Sequence, residues 1–148
     1  MRYSKTHLRE ISFPLGGIGS GCIGLAGNGR LVDWEIFNRP SKGSLNGYSH
    51  IAVRAQDDAG EVSARVLQGD LDKDLTGSYA LAPYIGYGFG PSSLTMCGFP
   101  HFSQCTFDGE FPIARLSFSD PQFPGQVFLT ALKPLIPPGD RDSSIPPS

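Results

Sequence analysis

Asp33 and Glu35, which flank Trp34, are the first pair in this chain whose types and spacing could do chemistry. Cleaving a glycosidic bond takes two carboxylates, about 5–5.5 Å apart for retention or about 6.5–9.5 Å for inversion. Residues two apart on a strand point to the same side, so this pair could reach such a separation. The same spacing also describes the solvated polar face of an amphipathic strand, and that is the reading adopted. Cys97, His101 and Cys105 recur every four residues, with His50 or an acid as a conceivable fourth ligand. That spacing gathers metal ligands only on a helix, and Gly98 and Pro100 argue against one. No zinc site is expected, and His101 reads as a hydrogen-bonded structural histidine. Asp70, Asp72 and Asp74 invite a calcium loop, but Leu75 and Leu81 occupy the positions where such a loop needs glycine and glutamate. A solvated acidic loop is expected, and no metal or other cofactor.

The run Gly16-Gly17-Ile18-Gly19-Ser20-Gly21-Cys22-Ile23-Gly24 contains G-x-G-x-x-G. Nucleotide binding requires such a run to leave a central strand and open a helix, whose N-terminus meets the pyrophosphate. Here Pro14 interrupts the strand ahead, and Leu25-Ala26-Gly27-Asn28-Gly29-Arg30 behind reads as a turn. The glycines are therefore assigned to a strand region that bulky groups or another backbone approach closely.

Trp34, Asn38 and Arg39 form the remaining group of interest. Arg39 carries five donors in a rigid fork, suited to a loop carbonyl, a carboxylate or sugar hydroxyls. Two roles stay open at this point. Either Trp34 is core and Arg39 ties down the chain before Pro40, or the group serves a face that meets another domain.

The elements that must position these residues are strands. Ile23–Ala26 and 31–37 read as a hairpin across a two-residue Asn28-Gly29 turn. Residues 51–55 and 62–67 form a second pair through Asp57-Asp58-Ala59-Gly60. Residues 105–107 and 113–118 form a third through Asp108-Gly109, with Ala114, Leu116 and Phe118 on one face and Arg115 and Ser117 on the other. Residues 127–132 are apolar on both faces and predict a central strand. No window of eleven or more residues holds a helical period, and residues 68–102 read as loop. The expected fold class is all-β, an antiparallel sandwich.

Composition sets the bounds. The 148 residues carry 12 basic and 14 acidic side chains and no basic block, which argues against a nucleic-acid partner. Ten Phe, five Tyr and one Trp argue for a folded chain despite 19 Gly and 13 Pro. No segment has the length of a membrane span or the pattern of a signal peptide. An odd cysteine count without C-x-x-C spacing predicts a reducing, cytoplasmic location.

Four separated motifs then carry a resemblance. Phe13-Pro14-Leu15-Gly16-Gly17-Ile18-Gly19, the stretch Asp33 to Pro40, Gly98-Phe99-Pro100-His101-Phe102 and Asp142-Ser143-Ser144-Ile145-Pro146 occur in order. Together they resemble the N-terminal region of family 116 glycoside hydrolases, the bacterial β-glucosidases and non-lysosomal glucosylceramidases. The resemblance implies an N-terminal β-sandwich over residues 1–148, incomplete at its C-terminal end, that precedes an α/α-barrel. It also implies that the nucleophile and acid/base of a retaining β-glucosidase lie in that barrel. The partner would be that barrel, with the β-glucoside bound through it, and the chain would carry no catalytic residue itself. Trp34, Asn38, Arg39 and His101 are the candidates for the pocket wall or the domain interface. A free-standing carbohydrate-binding or interaction module is the rival reading, and it would present exposed aromatics on one sheet face.

Overall fold

The computed structural model describes residues 1–16, 21–37, 39–44, 46, 49–70 and 99–134. Its strands are β1 (Arg2–Ser4), β2 (Ser12–Leu15), β3 (Gly21–Ala26), β4 (Leu31–Ile36) and β5 (Ala52–Gln56), then β6 (Val62–Gly69), β7 (His101–Phe102), β8 (Gln104–Glu110), β9 (Ile113–Ser119) and β10 (Val127–Leu132). One short 3-10 turn, Lys5–Leu8, seats Leu8 in the core. A four-stranded sheet has the order β1-β8-β9-β10, and two three-stranded sheets have the orders β2-β3-β4 and β5-β6-β7. All pairings are antiparallel except β6 with β7. This is the all-β sandwich that the strand pattern predicts.

Alternation builds the core. Cys105 and Phe107 on β8 and Ala114, Leu116 and Phe118 on β9 turn inward from the large sheet. They meet Phe13 and Leu25 from one small sheet and Leu67 and Phe102 from the other. Phe13 packs on Phe107 with ring centroids 6.5 Å apart, and Phe102 packs on Phe118 at 5.5 Å. The two small sheets join where β6 ends beside the β3–β4 turn. There the Gly69 N–H donates to the Asn28 carbonyl at 2.8 Å, and the buried Arg30 Nε donates to Gln68 at 3.1 Å.

Several expectations change in detail. The β3–β4 loop has three residues, Gly27 to Gly29, because the Ala26 N–H already pairs with the Arg30 carbonyl at 2.8 Å. Asp108-Gly109 is not a turn. It continues β8, with Asp108 opposite Arg115 and Gly109 opposite Ala114, and the chain reverses at Phe111-Pro112. The glycine there has a packing reason, since a Cβ at Gly109 would lie 2.7 Å from the Phe107 ring. Strand β10 is not central. Among the described residues it is an edge, with Phe128 66% and Leu132 58% exposed on its outer side. Part of the stretch read as loop is strand instead: β6 runs on to Gly69, and β7 pairs beside it.

Candidate functional site

Strand β4 has a fault in its register that shapes the site. Gly24 pairs with Val32 but Cys22 pairs with Glu35, so Asp33 and Trp34 together face Ile23 across a bulge. Asp33 takes φ +50°, a left-handed conformation that aspartate tolerates better than most residues. The bulge turns the Asp33 carboxylate inward, where it is 7% exposed. Its Oδ2 accepts from Ser12 Oγ at 2.6 Å, and its Oδ1 accepts from the Gly43 N–H at 2.6 Å. Glu35 accepts from the Ser41 N–H at 3.1 Å. Lys42 Nζ lies 3.0 Å from Glu35 and 3.5 Å from Asp33. Burial pulls the Lys42 ammonium down, but the hydrogen bond to Glu35 and the two carboxylate charges outweigh it and hold its pKa above the ordinary value.

The backbone completes the attachment. The Asp33 N–H donates to the Ser44 carbonyl at 3.1 Å and the Trp34 N–H donates to Ser44 Oγ at 2.8 Å. Residues 41–44 are thus clasped to β4 through both carboxylates and both faces of Ser44. The solvated polar face expected of Asp33 and Glu35 is overturned at Asp33, because the bulge buries a carboxylate that alternation would have left in water. Their oxygens serve as acceptors for a loop.

Gly21 and Gly24 leave room for this clasp. A Cβ at Gly24 would collide with Ser12 Oγ, the donor to Asp33, and one at Gly21, at φ +90°, would meet the Glu35 carbonyl. No helix follows Gly24, since β3 runs on to Ala26. Pro14 sits on β2, at the edge of its sheet, where a missing N–H is tolerated.

Trp34 is half-buried, and its indole N–H donates to the Leu31 carbonyl at 3.4 Å. Arg39 is exposed just outside the clasped loop, and its backbone N–H donates to the Ile36 carbonyl at 3.3 Å. Asn38 lies outside the described residues. His101 belongs to a different place, the β6–β7 edge, so the three described candidates do not form one cluster.

His101 has an acceptor at each ring nitrogen: Nδ1 faces the Phe99 carbonyl at 3.0 Å and Nε2 faces the Asp70 carboxylate. Two acceptors require two N–H donors, so the geometry calls for the imidazolium. Burial lowers its pKa, but the Phe99 carbonyl and Asp70 raise it further than burial and the nearby Arg30 charge depress it. Asp70 is thereby a partner of histidine, while Asp72, Asp74 and Cys97 lie outside the described residues. Cys105 points into the core, where burial pushes its thiol up to about 12. No group of three His, Cys, Asp or Glu among the described residues could hold a metal ion. Among them, too, no helix is long and apolar enough to cross a membrane.

The bulge at Asp33 and the Asp70–His101 pair are what sequence reasoning missed. The signal available for the first was Ser41-Lys42-Gly43-Ser44, a turn-rich segment carrying a cation a few residues beyond two acids.

No curated protein matches the chain. A family model described as beta-glucosidase 2, glycosyl-hydrolase family 116 N-term, matches residues 12–148, from the strand that carries Phe13 onward. The chain therefore belongs to the N-terminal domain family of the family 116 glycosyl hydrolases.

Proposed function

We propose that this domain supports and partly walls the active site of a catalytic α/α-barrel in a retaining, cytoplasmic β-glucosidase or glucosylceramidase-like enzyme, and performs no chemistry itself. The observation that carries the reading is the commitment of Asp33 and Glu35. A general acid or nucleophile must have a carboxylate oxygen free to meet the substrate. The two Asp33 oxygens are taken by Ser12 and Gly43, and the two Glu35 oxygens by Ser41 and Lys42. The clasp instead fixes the path that leads from β4 through Arg39 into residues 41–44. In this reading Trp34, Asn38 and Arg39 meet the barrel, and His101 holds the β6–β7 edge in shape.

The test is turnover. The purified 148-residue chain is expected to leave aryl β-glucosides intact. Hydrolysis by the chain that Asp33→Asn or Glu35→Gln abolishes would overturn the reading.

One observation favours a second reading, a carbohydrate-binding module. Phe111 and Phe128 are 57% and 66% exposed, at the end and the outer edge of the same four-stranded sheet.

A further inference from the structure

The outer face of the four-stranded sheet is a grid whose rows follow from the register. Glu110, Ile113 and Leu132 lie side by side in one row, and Asp108, Arg115 and Thr130 in the next. A depression of about 260 Å³ opens there, lined by Asp108, Glu110, Phe111, Pro112, Ile113 and Arg115. That volume is just under the roughly 300 Å³ at which drug-sized sites begin, so it suits one ring.

Three features define what would fill it. Asp108 is already neutralised, by the Met1 ammonium at 3.2 Å and by Arg2 at 3.6 Å. Among the described residues, the Glu110 carboxylate and the Arg115 guanidinium have no hydrogen-bond or ion-pair partner. The site thus offers one free acceptor group and one free donor fork, whose charges cancel. Its remaining wall, Phe111, Pro112 and Ile113, is apolar, and the Phe111 ring also packs on Phe13 at a centroid distance of 6.3 Å. An anion would gain Arg115 but face Glu110, and a cation would gain Glu110 but face Arg115. A neutral polyhydroxyl ring satisfies all three features. Its hydroxyls donate to Glu110 and accept from Arg115, while its C–H face lies on the aromatic wall.

We infer that this depression is a binding subsite for a neutral saccharide ring, separate from the Asp33 clasp and on the opposite layer of the sandwich. The inference rests on the glycosidase reading only for its choice of a sugar among neutral ligands. It requires no catalysis.

The experiment is an amide-resolved NMR titration of the 148-residue chain with methyl β-glucoside, up to about 10 mM, well above a roughly 1 mM Kd. Saturating shifts confined to residues 108–115 are expected. Arg115→Gln and Glu110→Gln, both on the solvent face, should each weaken binding about tenfold while leaving the spectrum dispersed. Phe111→Ala should weaken it as well. Absence of shifts at 108–115, or shifts that survive both polar substitutions, would overturn the subsite. Equal shifts with the zwitterion alanine would overturn the saccharide assignment, because that ligand can also pair Arg115 with Glu110. A failure here leaves the support reading standing, since that reading is decided by turnover and by the full-length enzyme.

Discussion

The carboxylate of Asp33 and the backbone N–H of Gly43 meet at 2.6 Å across ten residues of chain, and this bond anchors the loop that follows Arg39. Asp33 also receives Ser12, so a single buried side chain ties β2, β4 and the loop into one corner. Everything proposed about the Trp34–Arg39 segment depends on that corner being rigid.

Replacing Asp33 by Ala should therefore cost about 2–3 kcal/mol, because it removes the charged acceptor of two part-buried hydrogen bonds, from the Ser12 hydroxyl and the Gly43 N–H. For a chain of this size the loss lowers Tm by about 5–10 °C. Glu35→Gln should cost roughly 0–1 kcal/mol, since its partner Lys42 is 57% exposed and screened by solvent. Thermal melts of the two variants check the ranking. Equal effects would mean that the carboxylates share the load and the bulge has no special role.

Gly29 and Gly125 form a natural control pair, at φ +94° and +98°. An alanine at Gly125 would meet no atom within 4 Å, whereas one at Gly29 would run into the Leu67 carbonyl and the Phe118 ring. Gly125→Ala should cost only the backbone strain, about 1–2 kcal/mol. Gly29→Ala should cost that plus overpacking of about 1–3 kcal/mol. Denaturant midpoints separate the two contributions.

The strands were legible where alternation and turn chemistry agreed. Ala114, Leu116 and Phe118 faced inward as the pattern required, and Asp57 to Gly60 made the turn that its residues favour. Reading failed where one residue type served another purpose. Asp108-Gly109 looked like a turn, yet its glycine makes room for Phe107 and its aspartate faces two cationic groups. The apolar residues on both sides of β10 described an edge strand with exposed side chains, because a sequence does not state what covers a face. The clasp was missed for a third reason, since its one signal, Ser41 to Ser44, lies outside the strand. A bulge adds one residue to a ladder, and no local pattern around Asp33 announces it.

His101 should give the stability a pH dependence of definite sign. Its folded pKa stands above the ordinary 6.5, so the contribution of its pair with Asp70 is full below about pH 6.5 and is lost as pH rises through the folded value. Burial and, to a smaller extent, Arg30 oppose the charge, and the Phe99 carbonyl and Asp70 together outweigh them. Both side chains of the pair are substantially exposed, so the effect is about 0.2–1 kcal/mol. His101→Gln should lower Tm by more near pH 5.5 than near pH 9. A larger loss at high pH would contradict the imidazolium.

The measurement that tests the central claim most directly is Arg39→Ala in the full-length enzyme, with Tm and kcat taken on one preparation. A docking role predicts a lowered Tm, with kcat of the remaining folded enzyme changed only modestly, because Arg39 would join two domains and take no part in the reaction. A direct part in the chemistry would leave Tm unchanged and drop kcat by about a hundredfold or more, the scale of a lost general acid or transition-state contact. That second result would contradict the assignment of this domain to support.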